Sequence, residues 1–97
     1  MNVIDEIAAE RRRQIEVEGW TLEHDDQHQS GELAAAAGIY ALYDVLPDDG
    51  LRDRLISKCW PWDDYSWKPK DRRRDLIRAA ALIVAEIERL DRAESKT

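Results

Sequence analysis

The sequence predicts an all-α fold, a small helical bundle of three main helices with a short fourth helix and an ordered Trp- and Pro-rich loop. Three observations lead to it. Apolar residues recur at three- and four-residue spacing in separate stretches. Capping residues stand where those stretches begin. No stretch shows a strand pattern, and there is neither an internal repeat nor a low-complexity tract. At 97 residues, 37% of them charged, the chain makes one domain over 1–97 whose composition suits amphipathic helices.

The first helix is predicted over 3–18. Asn2 is its N-cap, Asp5 and Glu6 complement the positive helix end, and Gly19 stops it. Ile4, Ile7, Ala8, Arg11 and Ile15 share a face. Arg11 interrupts that stripe: either its stem packs while its head reaches water, or it turns inward to a carboxylate or an anionic ligand. Residues 19–29 read as a polar connection with Trp20 docked on the core. A second helix follows over 30–45, capped by Ser30, with Leu33, Ala36, Ala37, Tyr40, Ala41 and Leu42 forming a broad apolar face. Its small residues at 34–38 permit close helix approach, Gly38 at a propensity cost.

Pro47, Asp48, Asp49 and Gly50 make a turn. A short helix over 51–59 carries Leu51, Leu55 and Ile56 on one side. Pro61 and Pro69 make 60–70 an ordered loop rather than a helix. Asp71 caps the last helix, predicted over 71–92. Leu76, Ala80, Ile83, Ile87 and Leu90 repeat along it, with Ile77 and Val84 beside them. Residues 93–97 are expected to fray.

Charge is unevenly spread. The net charge is −6, but 1–50 holds twelve Asp or Glu against three Arg, and 58–78 holds seven Lys or Arg against four Asp. An acidic chain disfavours general nucleic-acid binding, where phosphate contacts dominate affinity. The local basic stretch remains suited to a small anion. The lone Cys59 excludes an intrachain disulfide and fits a reducing compartment. No apolar run approaches ~18 residues, and Asn2, Asp5 and Glu6 do not open a signal peptide. The expectation is a cytoplasmic protein off the membrane. At this size, self-association is a common way to add buried surface, so a homo-oligomer is expected.

Three groups of residues suggest chemistry. The first is His24-Asp25-Asp26-Gln27-His28 with Glu32. His28 and Glu32 lie one helical turn apart if the helix reaches back to His28, and Asp25 reaches the same place. Carboxylates with water suit Mg²⁺ or Mn²⁺, and two histidines with a carboxylate suit a transition metal. The plainer alternative is that Asp25 or Asp26 caps a helix and the histidines lie on the surface. The second group is Arg72, Arg73 and Arg74 in the first turn of the last helix, where the macrodipole disfavours cations. Either the acidic first half pairs with them, or a phosphate-bearing ligand does. The third is Trp60, Trp62, Tyr65 and Trp67 with Lys68 and Lys70. Indoles stack on bases, and they equally well cover a small Ala-rich core. No nucleophile constellation, Gly-rich phosphate loop or Cys pair is present.

Several strings resemble a family of small phage and prophage proteins. They are Glu-Gly-Trp-Thr (18–21), His-Asp-Asp (24–26) with His28, Gly-Glu-Leu-Ala (31–34), Trp-Pro-Trp (60–62) and Trp-Lys-Pro (67–69). Arg-Arg-Asp-Leu-Ile-Arg-Ala (73–79) and Ala-Glu-Ile-Glu-Arg-Leu-Asp-Arg (85–92) complete the set. The likeness spans nearly the whole chain, varies over 43–59, and implies a phage setting, with host-cell cytoplasm as the location. A more distant likeness is to the MazG-like all-α nucleoside triphosphate pyrophosphohydrolases. In those enzymes a Glu pair on one helix and a Glu-x-x-Asp on another hold Mg²⁺. Gly31-Glu32-Leu33 resembles the end of the first motif, and Asp75 in Arg-Asp-Leu-Ile the Asp of the second. Gln29 and Arg72 stand where that pattern has Glu, leaving His28, Asp25 and Asp71 as substitutes.

Two functional expectations result. In one, Asp25, His28, Glu32 and Asp75 hold Mg²⁺ or Mn²⁺ and the metal activates water on a phosphoanhydride. Arg72, Arg73 and Arg74 steady the phosphates while a Trp stacks on the base. In the other, Arg11, Trp60, Trp62, Trp67, Lys68, Lys70 and the same arginines bind a nucleotide signal without chemistry, or the protein blocks a host defence protein directly. A purely structural adaptor is the third possibility. Both ligand expectations require the carboxylates and the three arginines to converge on one hollow.

Overall fold

A computed structural model describes residues 2–95. Among them the chain forms α1 (Val3–Glu16), α2 (Leu22–Asp26), α3 (Glu32–Leu42), α4 (Leu51–Cys59) and α5 (Arg72–Ser95). Single 3₁₀ turns lie at Tyr43–Val45 and Asp64–Ser66. The all-α expectation holds, and no strand occurs among the described residues.

Local chemistry sets most of the boundaries. Asn2 caps α1 by accepting the Asp5 N–H at 2.9 Å. Asp71 accepts the Arg74 N–H at 2.9 Å in the first turn of α5. Gly19 takes a left-handed φ of 75°, and the Trp20 N–H then returns to the Gln14 carbonyl at 2.9 Å. The predicted polar connection contains α2, a helix of five residues whose cap is Thr21, accepting the His24 N–H at 3.2 Å. Ser30 is not the cap of α3. Gly31 holds that place with φ 85°, and Ser30 instead donates its N–H to Glu32 Oε1 at 2.7 Å. Helix α5 continues beyond 92 to Ser95 where fraying was expected. Residues 96 and 97 lie outside the described residues.

The core lies between α3 and α5. Leu33, Ala36, Ala37, Ile39 and Tyr40 meet Ala79, Leu82 and Ala85, and Trp60 closes one side. Alanines on both helices allow the close approach, which is why small residues form so much of this core. Gly38 is not needed for it, since a Cβ there would meet nothing within 4 Å.

Two faces differ from the sequence reading. In α5 the buried positions are Ile77, Ala79, Ala81, Leu82 and Ala85 with Asp75, Arg78 and Arg89. The stripe Leu76, Ile83, Ile87 and Leu90 stays 41–53% exposed. The alanine face wins because it fits the alanine-rich α3 more closely than bulky Ile and Leu would. In α1 the buried residues are Glu10, Arg11 and Gln14, while Ile4 is 72% exposed. Helix α1 docks on α5 through ions: Arg73 grips Glu6 with two bonds of 2.7 and 2.9 Å, Arg74 bonds Glu10, and Arg11 reaches Glu88. Its polar face therefore turns inward. No helix among the described residues is long and apolar enough to cross a membrane.

Candidate functional site: an aromatic and histidine-lined groove

Helix α2 and the residues after it place four polar side chains in a row. Arg11 Nη2 donates to Asp25 Oδ2 at 2.8 Å, fully within the protein. His24 Nδ1 stands 3.3 Å from the other Asp25 oxygen. His24 Nε2 and His28 Nε2 face each other at 3.2 Å, and His28 Nδ1 lies 3.5 Å from Glu32 Oε2. Backbone N–H groups of Glu32 itself and of Ser30, with His28 beside them, hold the Glu32 carboxyl below its usual pKa.

The Trp-rich loop folds onto this row. Trp20 lies parallel to the His24 ring with centroids 6.1 Å apart. Trp62 is 5.5 Å from both Trp20 and His28. Trp60 is buried, its Nε1 donating to the Asp63 carbonyl at 3.0 Å and to Ser66 Oγ at 3.1 Å. Trp67 packs on Tyr40 and Tyr43 at 4.7 and 5.2 Å.

Two concavities adjoin here. One, of about 170 Å³, is lined by Trp20, His24, His28, Trp60, Trp62 and Ser66. The second, of about 60 Å³, shares Trp20 and Ser66 and adds Glu10, Arg13, Gln14, Glu18, Lys68 and Arg78, among others. Arg78 lies over the Tyr40 ring at 5.6 Å and donates Nη1 to the Lys68 carbonyl at 2.7 Å. Three buried polar atoms of residues lining this pair of hollows have no protein partner: Trp62 Nε1, Gln14 Oε1 and Arg78 Nε. Burial alone would raise the Glu10 pKa. The Arg13 hydrogen bonds and the charges of Arg13, Arg74 and Arg78 outweigh it, so Glu10 is held ionised below its usual value.

The residues singled out in the sequence are only partly assembled. Asp25, His28 and Glu32 come together, linked by His24. Asp75 does not join them. Asp26 bonds Arg92, which is 17 residues beyond Asp75 on α5, about 25 Å of helix. Asp75 accepts the Lys70 N–H at 2.8 Å, and burial raises its pKa. The three arginines are taken by the protein: Arg72 donates to the Ala41 carbonyl, Arg73 to Glu6 and Arg74 to Glu10. The convergence of carboxylates and arginines on one hollow is therefore absent, because α1 supplies Arg73 and Arg74 with anions and α3 supplies Arg72 with a carbonyl. Arg11 turns inward to Asp25 rather than to water. Of the loop residues, Trp62 and Lys68 line the hollows, Trp60 lines one from a buried position, and Trp67 is half-buried against tyrosines. Lys70 is exposed.

Trp20, Gln14 and Arg78 are site residues that sequence reasoning did not single out, and His24 was named in the cluster but not among the four metal ligands. The four-residue spacing of His24 and His28 was the available sign. Nothing in the pattern marks Gln14 or Arg78, since their inward orientation depends on α1 docking through its polar face. Comparison with protein-family models, curated proteins and solved structures finds no match to this chain.

Proposed function

We propose that the protein binds a nucleotide, or a related ligand joining an aromatic ring to phosphate, in the paired hollows that meet at Trp20 and Ser66. The observation that carries this reading is the aromatic wall of Trp20 and Trp62 in one hollow set beside Lys68 and Arg78 in the adjoining one. Trp20 and Trp62 offer faces for a base. Lys68 and Arg78 offer cations on the adjoining side. This placement replaces Arg72, Arg73 and Arg74 as the phosphate contacts.

Binding without turnover is favoured over MazG-like hydrolysis, because Glu32 and Asp75 stand too far apart to share one Mg²⁺ or Mn²⁺. With the resemblance to phage proteins, the role proposed is capture of a nucleotide signal of host defence within the host cytoplasm. The test is a titration of mono-, tri- and cyclic nucleotides, with and without Mg²⁺, followed by tryptophan emission and melting temperature. A ligand of the right class quenches emission and raises the melting temperature, and Trp62→Ala weakens it at least tenfold. Phosphate release lost in Glu32→Ala would restore the enzyme reading. No response to any nucleotide would sink both and leave direct binding to a host protein, or an adaptor role.

A further inference from the structure

We infer that His24 and His28 form a binding site for one divalent transition-metal ion of the Zn²⁺, Ni²⁺, Cu²⁺ or Co²⁺ class, held between their Nε2 atoms and backed by Asp25 and Glu32. The site shares Asp25, His28 and Glu32 with the Mg²⁺ or Mn²⁺ set considered above but makes the two histidines the ligands, and it stands whether or not a nucleotide binds.

Geometry comes first. The two Nε2 atoms are 3.2 Å apart. Nitrogens about 2.0–2.1 Å from a shared tetrahedral ion stand about 3.3 Å apart. The Nε2 separation thus matches two ligands on one ion, and the ring centroids, now 4.5 Å apart, need to open by only about 0.5 Å to direct both nitrogens at it.

Proton placement points the same way. Each ring turns its Nδ1 toward a carboxylate, His24 toward Asp25 and His28 toward Glu32. Histidines that bind metals are oriented by such partners, which favour the tautomer with Nδ1 protonated and Nε2 free. That tautomer leaves both Nε2 atoms available to a shared ion.

The surroundings fix the anchor and the open side. Asp25 is fully buried and held by Arg11 at 2.8 Å, so the partner of His24 cannot swing away. His24 and His28 both line the larger hollow. No third His, Cys, Asp or Glu among the described residues completes the set. The remaining coordination positions would fall to water or to an anionic ligand. Imidazole donors select the ions named over Mg²⁺ and Ca²⁺.

Trp20 and Trp62 lie 6.1 and 5.5 Å from the two rings and report occupancy directly. The test is a titration of the nucleotide-free protein with NiCl₂, read by tryptophan emission and by calorimetry. The expected result is saturable quenching with one ion per chain, reversed by EDTA and insensitive to millimolar Mg²⁺. His24→Asn and His28→Asn should each weaken binding at least tenfold while keeping the wild-type circular dichroism. Glu32→Gln, which leaves both ligands in place, should weaken it more modestly. If either His variant fails to fold, chemical modification of the histidines in wild type with diethyl pyrocarbonate, blocked by Ni²⁺, supplies the same evidence. Absence of saturable binding to the folded wild type, or binding unchanged in folded His variants, would overturn the site.

Discussion

Gly38 lies within α3, in helical conformation, with open space where its Cβ would be. Glycine loses more backbone freedom on folding than any other residue, by roughly 0.5–1 kcal/mol relative to alanine. Gly38→Ala is therefore expected to stabilise the fold by about that amount, read as a higher urea midpoint with an unchanged slope. A loss of stability would mean that α3 packs more closely at this point than the structure places it. Gly31 and Gly50 are the contrast, since their φ values of 85° and 97° are strained for any L side chain.

Helix α1 is held by charge. Glu10 is 2% exposed and takes Arg13 and Arg74 together. Glu10→Gln should cost on the order of 2 kcal/mol at neutral pH, below the ~3–5 for a fully buried pair because both arginines reach solvent. The pH dependence fixes the cause. Glu10 is held below its ordinary value of 4.5, so its contribution is complete above that value and is lost as pH falls through the folded-state pKa. Denaturation at pH 7 and pH 3 should show the difference between wild type and variant closing at the lower pH. A difference that persists would assign the loss to packing.

The same helix shows what the sequence could and could not disclose. Its start and end were legible, because Asn2 and Gly19 act through local geometry. Its inward face was not. Periodicity assigns the apolar stripe to the core, and that rule fails where a facing helix carries arginines that pair with the acidic face, as Arg73 and Arg74 of α5 do with Glu6 and Glu10. Helix α2 escaped notice because five residues are too few to show a period, though Thr21 marks its start. The histidine cluster was half legible: His28, Glu32 and Asp25 meet, but His24 was needed to join them. Asp75 seemed a partner only because linear patterns carry no distance.

At the scale of the whole molecule, the unburied feature is the outer stripe of α5. Leu76, Ala80, Ile83, Ile87 and Leu90 alternate at spacings of four and three, the a/d seam of a coiled coil. Such a seam is self-complementary, and we propose that a second copy of this chain covers it. Light scattering on the wild type is expected to give a dimer or larger species. Ile87→Asp, at a position 53% exposed, should give a folded monomer. A monomeric wild type at all accessible concentrations would remove the proposal.

One consequence of that open stripe concerns mass action. If a second copy covers it, association engages only the folded chain and draws the folding equilibrium along with it. On that proposal the resistance of this small protein to heat depends on how much of it is present. Dilution alone should lower the melting temperature of the wild type and leave Ile87→Asp unmoved.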